Sequence, residues 1–430
     1  MIPALPEWFI YPILFVGFFV SLFYLLVIFK KEEVIPAAKR FPDASFVIPA
    51  KNVEICIEEC ILNIIRQDYP GKIYIVVVND ASTDKTESIV LSLKKKYNSD
   101  KREIIIINRK KSQGKKAPVI NEGIKYVINH LKTEITCPID ADTFVNKTAL
   151  RNSIAQFDYD PRVVAVAAPL IPIQKNFLLR LQYVEYVMSN FFRDLLGRAN
   201  ALCTTPAFAV FKTKFFKEAG LYNEHTWTED FDMALKVKAN FYKIAYLKDK
   251  IYFIAPGKLG KLRTERVRWG YGTCQALIKD YPFLLSPKYG AAGTFFLPIT
   301  TVLVTILVML SFLLLIYSFI HWIELFIHNI IVGWKPSFSL GHLNFGTLVF
   351  QASLLLSDSR VLFGIFGILI SVIFFVFARN YSKEKISIID YLVFSIPYRI
   401  FLSYTQLEGL IKYVFNLKMT WGEMHKKEKK

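Results

Sequence analysis

Residues 73–84 read IYIVVVNDASTD, an apolar and largely β-branched run that ends in a polar turn. Such a run predicts a buried strand, and the turn marks the point at which the strand stops. Similar runs occur at 44–49, 103–107 and 134–138, and stretches of helical period separate them at 55–65, 86–97 and 117–131. This alternation predicts parallel strands joined by crossover helices. Ligands of such α/β sheets bind beyond the carboxyl ends of the strands.

Long apolar stretches on both sides of this region predict membrane helices. The run 8–30 carries no charged residue before Lys30, and it exceeds the roughly 20 residues that a spanning helix needs. Two further spans are predicted at 289–320 and 358–379. The overall composition, 53% hydrophobic residues with a mean hydropathy of +0.32, excludes a wholly soluble or disordered chain. Lys30 and Lys31 follow the first span, which places the next segment on the cytoplasmic side.

The segments between the predicted spans complete the topology. Residues 36–288 contain most of the acidic residues and turn signals and form one folded cytoplasmic domain. Residues 321–357 are an extracytoplasmic loop or a partial membrane helix, and 417–430 are a basic cytoplasmic tail. The stretch 387–416 is apolar but contains Arg399 and Glu408, so it is an interfacial, re-entrant or fourth transmembrane helix. The chain is thus expected to be an integral protein of the plasma (inner) membrane.

Charge and cysteine content exclude other classes. The formal net charge is +18, but the basic residues follow the membrane flanks and do not form one groove-sized patch. A nucleic-acid partner is therefore not expected. The five cysteines are odd in number and scattered, which disfavours a disulfide framework and favours idle thiols in a reducing compartment.

Asp140 and Asp142 directly follow the run 134–138 and form a DxD pattern. On an extended segment both side chains would point to the same side and would hold one hard cation. A cation with two protein carboxylates keeps open positions, which suits a diphosphate. An isolated DxD is also compatible with an exposed acidic turn.

Four other segments contain candidate residues with both a structural and a functional interpretation. The turn 79–84 contains Asp80, and Thr83 or Asp84 would cap the next helix. The basic loop 112–116 ends in Lys116 and is either solvated surface or a phosphate contact. Thr228 precedes two acids, a typical helix start, but Asp230 is also placed to act as a general base. Residues 265–269, ERVRW, are either an interfacial belt or a diphosphate and sugar site.

The ordered set of motifs resembles the family 2 glycosyltransferases, specifically the membrane-embedded synthases of poly-N-acetylglucosamine, hyaluronan, chitin and cellulose. The matching segments are FVIPAKN from Phe46, RQDYPG from Arg66, VVNDASTD from Val77, GKKAPVIN from Gly114, DADT from Asp140, TED from Thr228 and the QxxRW-like ERVRW from Glu265. The resemblance covers about residues 44–272. It implies a GT-A fold, so the full expectation is an α/β GT-A glycosyltransferase domain flanked by transmembrane α-helices.

The resemblance also implies roles for individual residues. Asp80 would contact the nucleotide base, Lys116 would lie at the sugar diphosphate, and Asp140 would bind the nucleotide sugar. Glu229 would also bind the substrate. Asp142, with Asp140, would ligate a divalent cation, Mg²⁺ or Mn²⁺. Asp230 would be the catalytic base, Arg268 would bind the pyrophosphate of the leaving UDP, and Trp269 would stack against the acceptor sugar.

The expected activity is inverting, metal-dependent transfer from a UDP-sugar to a growing polysaccharide, processive and with secretion through the protein's own membrane helices. The expected partners are a UDP-sugar, a saccharide polymer or lipid-linked acceptor, the bilayer and an accessory membrane subunit of unknown identity. The alternative is a non-processive, ceramide-glucosyltransferase-like enzyme, and an inactive scaffold is a third interpretation. Glu265 and Pro206 depart from the family pattern, as does a single amino-terminal span, and the two residue changes favour the alternative.

Overall fold

The computed structural model describes residues 7–173, 176–303, 359–383 and 385–417, with isolated residues between 306 and 331 and residue 419. The expected loop 321–357, the second half of the span 289–320 and the tail 417–430 lie almost wholly outside the described residues. The chain divides into two compact units. One comprises residues 1–29 and 299–385, and the other comprises residues 30–298 and 386–430.

The larger unit is built on two β-sheets. Its strands are β1 (Ala44–Ala50), β2 (Ile73–Asn79), β3 (Arg102–Asn108), β4 (Ile135–Pro138), β5 (Thr143–Val145), β6 (Val163–Ala167), β7 (Leu170–Pro172), β8 (Ala209–Lys212), β9 (Lys243–Tyr246) and β10 (Ile251–Phe253). Seven of them form one sheet in the order β3-β2-β1-β4-β8-β6-β9, and β5-β10-β7 form a small second sheet.

The first half of the large sheet agrees with the sequence prediction. Strands β3, β2, β1 and β4 are parallel, and Ala50 pairs with Asn79, so their carboxyl ends meet at one edge. The second half is different, because β8 runs antiparallel to both β4 and β6. The complete sheet is therefore mixed, and its parallel half contains the four strands that the sequence predicted. The apolar residues of β1 and β2 are almost completely buried, as a sheet covered on both faces requires.

Helices cover the sheet and extend beyond it. Those of the larger unit are α2 (Ile57–Ile65), α3 (Thr86–Tyr97), α4 (Lys116–Tyr126), α5 (Ala149–Tyr159), α6 (Phe177–Arg198), α7 (Thr213–Ala219), α8 (Glu229–Ala239), α9 (Leu259–Cys274), α11 (Ile388–Val393) and α12 (Arg399–Val414). The other unit contains α1 (Glu7–Ile28) and α10 (Ser359–Ser382). A π-helical turn, Phe394–Tyr398, joins α11 to α12. The stretch predicted at 387–416 is thus helical and belongs to the same compact unit as the sheet.

Helices α9 and α12 approach each other at two glycines. A Cβ added to Gly409 would lie 2.8 Å from the Tyr271 nitrogen and 2.8 Å from the Val267 oxygen, and one on Gly270 would lie 3.4 Å from the Gln406 Cα. Because these neighbours are helix backbone, they have little room to move. An ion pair between Arg263 and Glu408 at 2.8 Å adds to the contact. Glycine at both positions therefore allows α12 to pack directly on α9.

We expect Gly409→Ala to destabilise the larger unit by about 1–3 kcal/mol, because the added methyl group overpacks the crossing of the two helices. The measurement is thermal unfolding of the full chain, followed by intrinsic tryptophan fluorescence. Gly367→Ala in α10 is the matched control, since a Cβ there meets nothing within 4 Å. Equal melting temperatures for the two variants would contradict the close backbone contact.

The smaller unit contains helices α1 and α10, close to the spans predicted at 8–30 and 358–379. Aromatic contacts join them, with ring centroids 5.5 Å apart for Phe18 and Phe366 and 6.4 Å apart for Tyr24 and Phe374. Among the described residues, one helical segment, Ile365–Ser382, has the length and apolar character needed to cross a membrane. Three other apolar helical stretches, Leu14–Ile28, Ala292–Leu303 and Phe319–His328, are shorter.

Candidate active site

The polar residues after β2 and β4 lie at the same edge of the sheet, as the sequence predicts. Asn79 ends β2 and Asp80 follows it, while Asp140 and Asp142 follow β4. The strand between them, β1, pairs with both β2 and β4 in parallel register. Parallel strands bring their carboxyl ends together, so all three carboxylates belong to one edge.

Asp80 is buried within a cluster of basic and hydroxyl groups. Its two carboxylate oxygens accept from Arg109 and Ser112, each at 2.5 Å, and the Lys51 ammonium lies 3.8 Å away. Sequence reasoning identified Asp80 but not these partners, which come from loops after β1 and β3. The basic character of residues 109–116 was the available signal. A carboxylate fixed in this way has a defined orientation, as recognition of a planar base requires.

Lys116 contacts residues of two other candidate motifs, the DxD segment and the start of α8. It begins α4, and its ammonium lies 2.5 Å from Asp140 and 2.9 Å from Glu229. Burial alone would lower the pKa of Lys116, but the two carboxylates raise it well above its ordinary value. Lys116 therefore stays charged and joins the DxD segment after β4 to the amino terminus of α8.

The DxD segment is a turn and not an extended strand. The Thr143 amide donates to the Asp140 carbonyl at 3.1 Å, which closes the turn between β4 and β5. The expectation of an extended geometry was therefore wrong, but the two carboxylates still act on each other. Burial raises the pKa of Asp140 to about 6 against the opposing charge of Lys116, and Asp142 adds to the increase.

The donor set of Asp140 and Asp142 fits a hard divalent cation. Within the part of the chain that the structure describes, no group of three or more His, Cys, Asp or Glu side chains could form a closed cage. Two carboxylates leave coordination positions for oxygens of a substrate. The residues thus fit a substrate-bridging ion and not a structural one.

Asp230 lies in the first turn of α8, beside Glu229. One of its carboxylate oxygens accepts from the Phe231 amide at 2.8 Å, and its carbonyl accepts from the Thr205 hydroxyl at 2.8 Å. Burial raises the pKa of Asp230, and the neighbouring Glu229 carboxylate raises it further. A carboxylate whose pKa is raised is a better proton acceptor than an ordinary one.

Thr228 occupies the position before α8 that a cap would take, but its hydroxyl makes no capping hydrogen bond. Thr228 therefore occupies the predicted cap position, but the prediction that its side chain makes a capping hydrogen bond was wrong. A Cβ added to Gly272 would collide with the Thr228 side chain, so Thr228 packs directly on α9. This contact fixes the start of α8 against the helix that contains Arg268. At the start of α3 the cap position is Lys85, so the prediction of Thr83 or Asp84 as the cap was wrong. The Asp84 carboxylate still accepts from the Thr86 amide at 3.0 Å.

Arg268 and Trp269 lie on α9, next to the start of α8. The Arg268 guanidinium donates to the Trp227 carbonyl at 2.7 Å. Burial would raise the pKa of Glu229, but Lys116 and then Arg268 lower it below its ordinary value. Two cations, from α4 and α9, thus act on the same carboxylate.

Glu265, which departs from the family pattern, is paired within its own helix. It forms an ion pair with Arg266, and Arg266 also pairs with Glu185 at 3.0 Å. The Arg266 guanidinium lies 4.0 Å from the centroid of the Trp269 ring. The negative charge of Glu265 is therefore compensated. Sequence reasoning gave Arg266 no role, although helical period brings residue 266 next to Trp269 on α9.

The structure thus gathers carboxylates, a lysine and an arginine beyond the strand ends of a mixed α/β sheet, an arrangement typical of enzymes that bind phosphate-bearing substrates. Lys116, Asp140 and Glu229 are in direct contact, and Asp230 and Arg268 adjoin them through Glu229. Asp80 lies at the end of a neighbouring strand, and Trp269 follows Arg268 on α9.

Comparisons with known proteins identify this enzyme. Residues 45–220 match the model of glycosyl transferase family 2, and residues 135–334 match that of glycosyl transferase family group 2. The poly-beta-1,6-N-acetyl-D-glucosamine synthase of Staphylococcus aureus strain COL is 26% identical over 286 residues, 63% of this chain and 66% of the relative. The synthase of the same description from Staphylococcus epidermidis is 27% identical over 243 residues, 55% of this chain and 56% of the relative. The matches thus span less than two thirds of these relatives.

A solved structure is similar over nearly the whole chain. It is that of the mannosyltransferase PcManGT from Pyrobaculum calidifontis in complex with GDP-Man and Mn²⁺. It has a TM-score of 0.58 at 16% identity and covers 95% of this chain and 97% of that one. This similarity supports the GT-A-like α/β fold. Residues 45–334 thus match glycosyl transferase family 2 domains, and the protein is a glycosyltransferase.

Proposed function

We propose that the protein is an inverting, metal-dependent membrane glycosyltransferase that transfers a sugar from a UDP-sugar to a growing polysaccharide. The observation that carries the proposal is the contact of Lys116 with both Asp140 and Glu229. This contact places the donor-binding carboxylates beside the segment that contains the base Asp230. The names of the staphylococcal relatives support a polymer of N-acetylglucosamine as the product.

In the proposed mechanism the site residues remove a proton from the acceptor and stabilise the leaving UDP. Asp230 takes the proton of the acceptor hydroxyl as this oxygen attacks the anomeric carbon, and a single base of this kind gives inversion. Lys116 and Arg268 stabilise the negative charge that develops on the departing UDP. A divalent cation at Asp140 and Asp142 would supply Lewis-acid neutralisation of the diphosphate when bound. Asp80 orients the nucleotide base.

The amphipathic segment 388–415 supports a site at a membrane surface. One side of α12 packs on α9, but the segment also bears exposed apolar residues. Four of them recur at every fourth position along α11, the π-helical turn and the start of α12: Ile388, Leu392, Ile396 and Ile400. Ile411 and Phe415 are exposed near the end of the segment. An apolar stripe on a helix that also carries charge suits the lipid interface. We therefore propose an interfacial position for this segment and a plasma-membrane location for the protein.

We expect the purified full chain to release UDP from a UDP-sugar in the presence of Mn²⁺ or Mg²⁺ and to form long saccharide products. UDP-N-acetylglucosamine is the first donor to test, because of the names of the relatives, and GDP-mannose is the comparison donor. UDP release and product sizing are the measurements. Treatment with EDTA should abolish release, and added Mn²⁺ should restore it.

Asp142→Asn is the variant that tests the metal site, since asparagine preserves shape but removes the charge. It should lower turnover by at least about 10²-fold and raise the Mn²⁺ concentration needed for half activity. Asp158→Asn, near the end of α5, is the control and should behave like the unchanged protein. Full activity in EDTA would overturn the metal-dependent mechanism.

A second candidate is a non-processive enzyme that adds one sugar to a membrane lipid. The observation that favours it is the pair of departures from the synthase pattern at Glu265 and Pro206. Ala207, directly after Pro206, has a positive φ of 34°, which is an unusual conformation at the segment expected to bind the acceptor. Mass spectrometry of products formed in membranes separates the two candidates. A single added sugar on a lipid would favour the second.

A further inference from the structure

Three aromatic side chains form a row that begins beside the catalytic segment and that no role proposed above uses. The ring of Trp227 lies 6.4 Å from that of Tyr271, at an interplanar angle of 80°. The ring of Tyr271 lies 5.5 Å from that of Tyr413, also at 80°. We call these three residues the aromatic row. It connects the segment before α8 with α9 and α12.

The aromatic row is only half-buried, unlike the aromatic residues of the core. Trp227, Tyr271 and Tyr413 are all partly accessible to solvent, whereas Phe208 and Phe211 are almost fully buried. Two edge-to-face contacts engage no more than two of the six ring faces. The Lys115 ammonium lies 5.3 Å from the centroid of the Trp227 ring. Lys115 thus covers part of a third face, and the partial solvent exposure of the three rings leaves ring surface for a ligand.

Polar groups lie in the same segments as the aromatic row. His225, two residues before Trp227, contacts Asp280 at 3.2 Å, and the Gln275 amide donates to the His225 carbonyl at 3.4 Å. Partial burial raises the pKa of the Tyr413 hydroxyl, and the Asp280 carboxylate adds to the shift. Aromatic rings accompanied by a carboxylate, an imidazole and hydroxyl groups suit a saccharide, which has apolar C–H faces and a rim of hydroxyl groups.

The start of the aromatic row is tied to residues that the proposed mechanism uses. The Trp227 carbonyl accepts from Arg268, and Trp227 is three residues before Asp230. The Lys115 ammonium donates to the Glu224 and His225 carbonyls, each at 3.1 Å, and so holds the same segment from the side of Lys116. A sugar stacked on Trp227 would thus be close to the catalytic base. A chain extending from it would pass Tyr271 and then Tyr413.

We propose that the aromatic row is an extended binding site for the saccharide acceptor, additional to Trp269. Trp227 contacts the sugar units nearest the reaction, and Tyr271 and Tyr413 contact units farther along the chain. The occupant is an oligosaccharide of several units and not a lipid tail. This inference rests on the proposed function, because it requires a saccharide acceptor.

The test uses the full chain in nanodiscs, with UDP-N-acetylglucosamine as donor and β-1,6-linked N-acetylglucosamine of one, two and four units as acceptors. We expect Tyr413→Ala to raise the apparent KM of the tetrasaccharide at least fivefold and to raise that of the monosaccharide much less. Trp227→Ala should raise the KM of all three acceptors, and Trp227→Phe should largely restore it. The donor KM should stay within twofold in each variant.

Tyr159→Ala is the control, because Tyr159 is an exposed tyrosine at the end of α5. It should leave all acceptor KM values unchanged. If the unchanged protein transfers sugar and Tyr413→Ala alters every acceptor equally or none, the aromatic row is not an acceptor site. If the unchanged protein transfers no sugar to any of these acceptors, the proposed polymer synthesis itself fails. A donor KM that rises with the acceptor KM would show a structural role and would also overturn the inference.

Discussion

Asp230→Asn is expected to lower the turnover of sugar transfer by about 10²–10⁴-fold, the usual contribution of a general base. Asparagine keeps the size of the side chain and its acceptor oxygen for the Phe231 amide, but it cannot take the proton of the acceptor hydroxyl. Donor binding should survive, because Lys116, Asp140 and Arg268 are unchanged. Turnover is measured as UDP release with acceptor present, and donor affinity by calorimetric titration with UDP.

Asp232→Asn is the matched control for this substitution. Asp232 lies on the same helix, is fully buried and accepts from the Asn223 amide at 2.9 Å. Burial raises the pKa of Asp232, so a neutral replacement is well tolerated there. We expect Asp232→Asn to keep most of the activity. Transfer at an undiminished rate by Asp230→Asn would remove Asp230 as the base.

Lys116→Ala is expected to damage both stability and donor binding. Removal of the ammonium leaves Asp140 and Glu229 close together without their shared cation. Breaking a buried ion pair on one side costs about 3–5 kcal/mol, and the partial exposure of Lys116 favours the lower end of that range. The melting temperature should therefore fall by several degrees. Turnover at saturating donor should also fall, by about 10²-fold or more.

A compensated variant separates these two effects. Combining Lys116→Ala with Asp140→Asn and Glu229→Gln removes the uncompensated charges, so most of the lost stability should return while activity does not. Lys95→Ala, at an exposed position near the end of α3, is the surface control. An unchanged melting temperature for Lys116→Ala alone would show that the contact with Asp140 and Glu229 contributes little to folding.

The first half of the fold was predictable because its signals are local and strong. The runs that become β1–β4 are short, apolar and β-branched, and α3 extends over the predicted residues 86–97. Motif residues at the ends of parallel strands necessarily meet at one edge, so the sequence alone was enough to place Asp80 and Asp140 together. The same logic did not extend to β8, a strand of four residues whose antiparallel pairing depends on distant partners.

Long-range contacts account for the other differences. Nothing in the local sequence indicates that Arg109 and Ser112 enclose Asp80. Nor does it indicate that Lys116 joins Asp140 and Glu229, which belong to motifs far apart in the chain. Neighbouring residues on a helix do not usually face each other, so the pairing of Glu265 with Arg266 was also not foreseeable. Arg266 also pairs with Glu185 of α6, whose position only the tertiary structure fixes.

The larger unit is assembled from two separate pieces of chain, residues 30–298 and 386–430. During synthesis, α9 therefore emerges long before the helix that packs on it, and residues 299–385 must be made first. At about 5–20 residues per second, this interval lasts several seconds. During this interval the face of α9 that packs on α12 has no partner, and α9 carries Arg268 and Trp269. A nascent chain should therefore acquire activity only after its carboxyl-terminal helices have been translated.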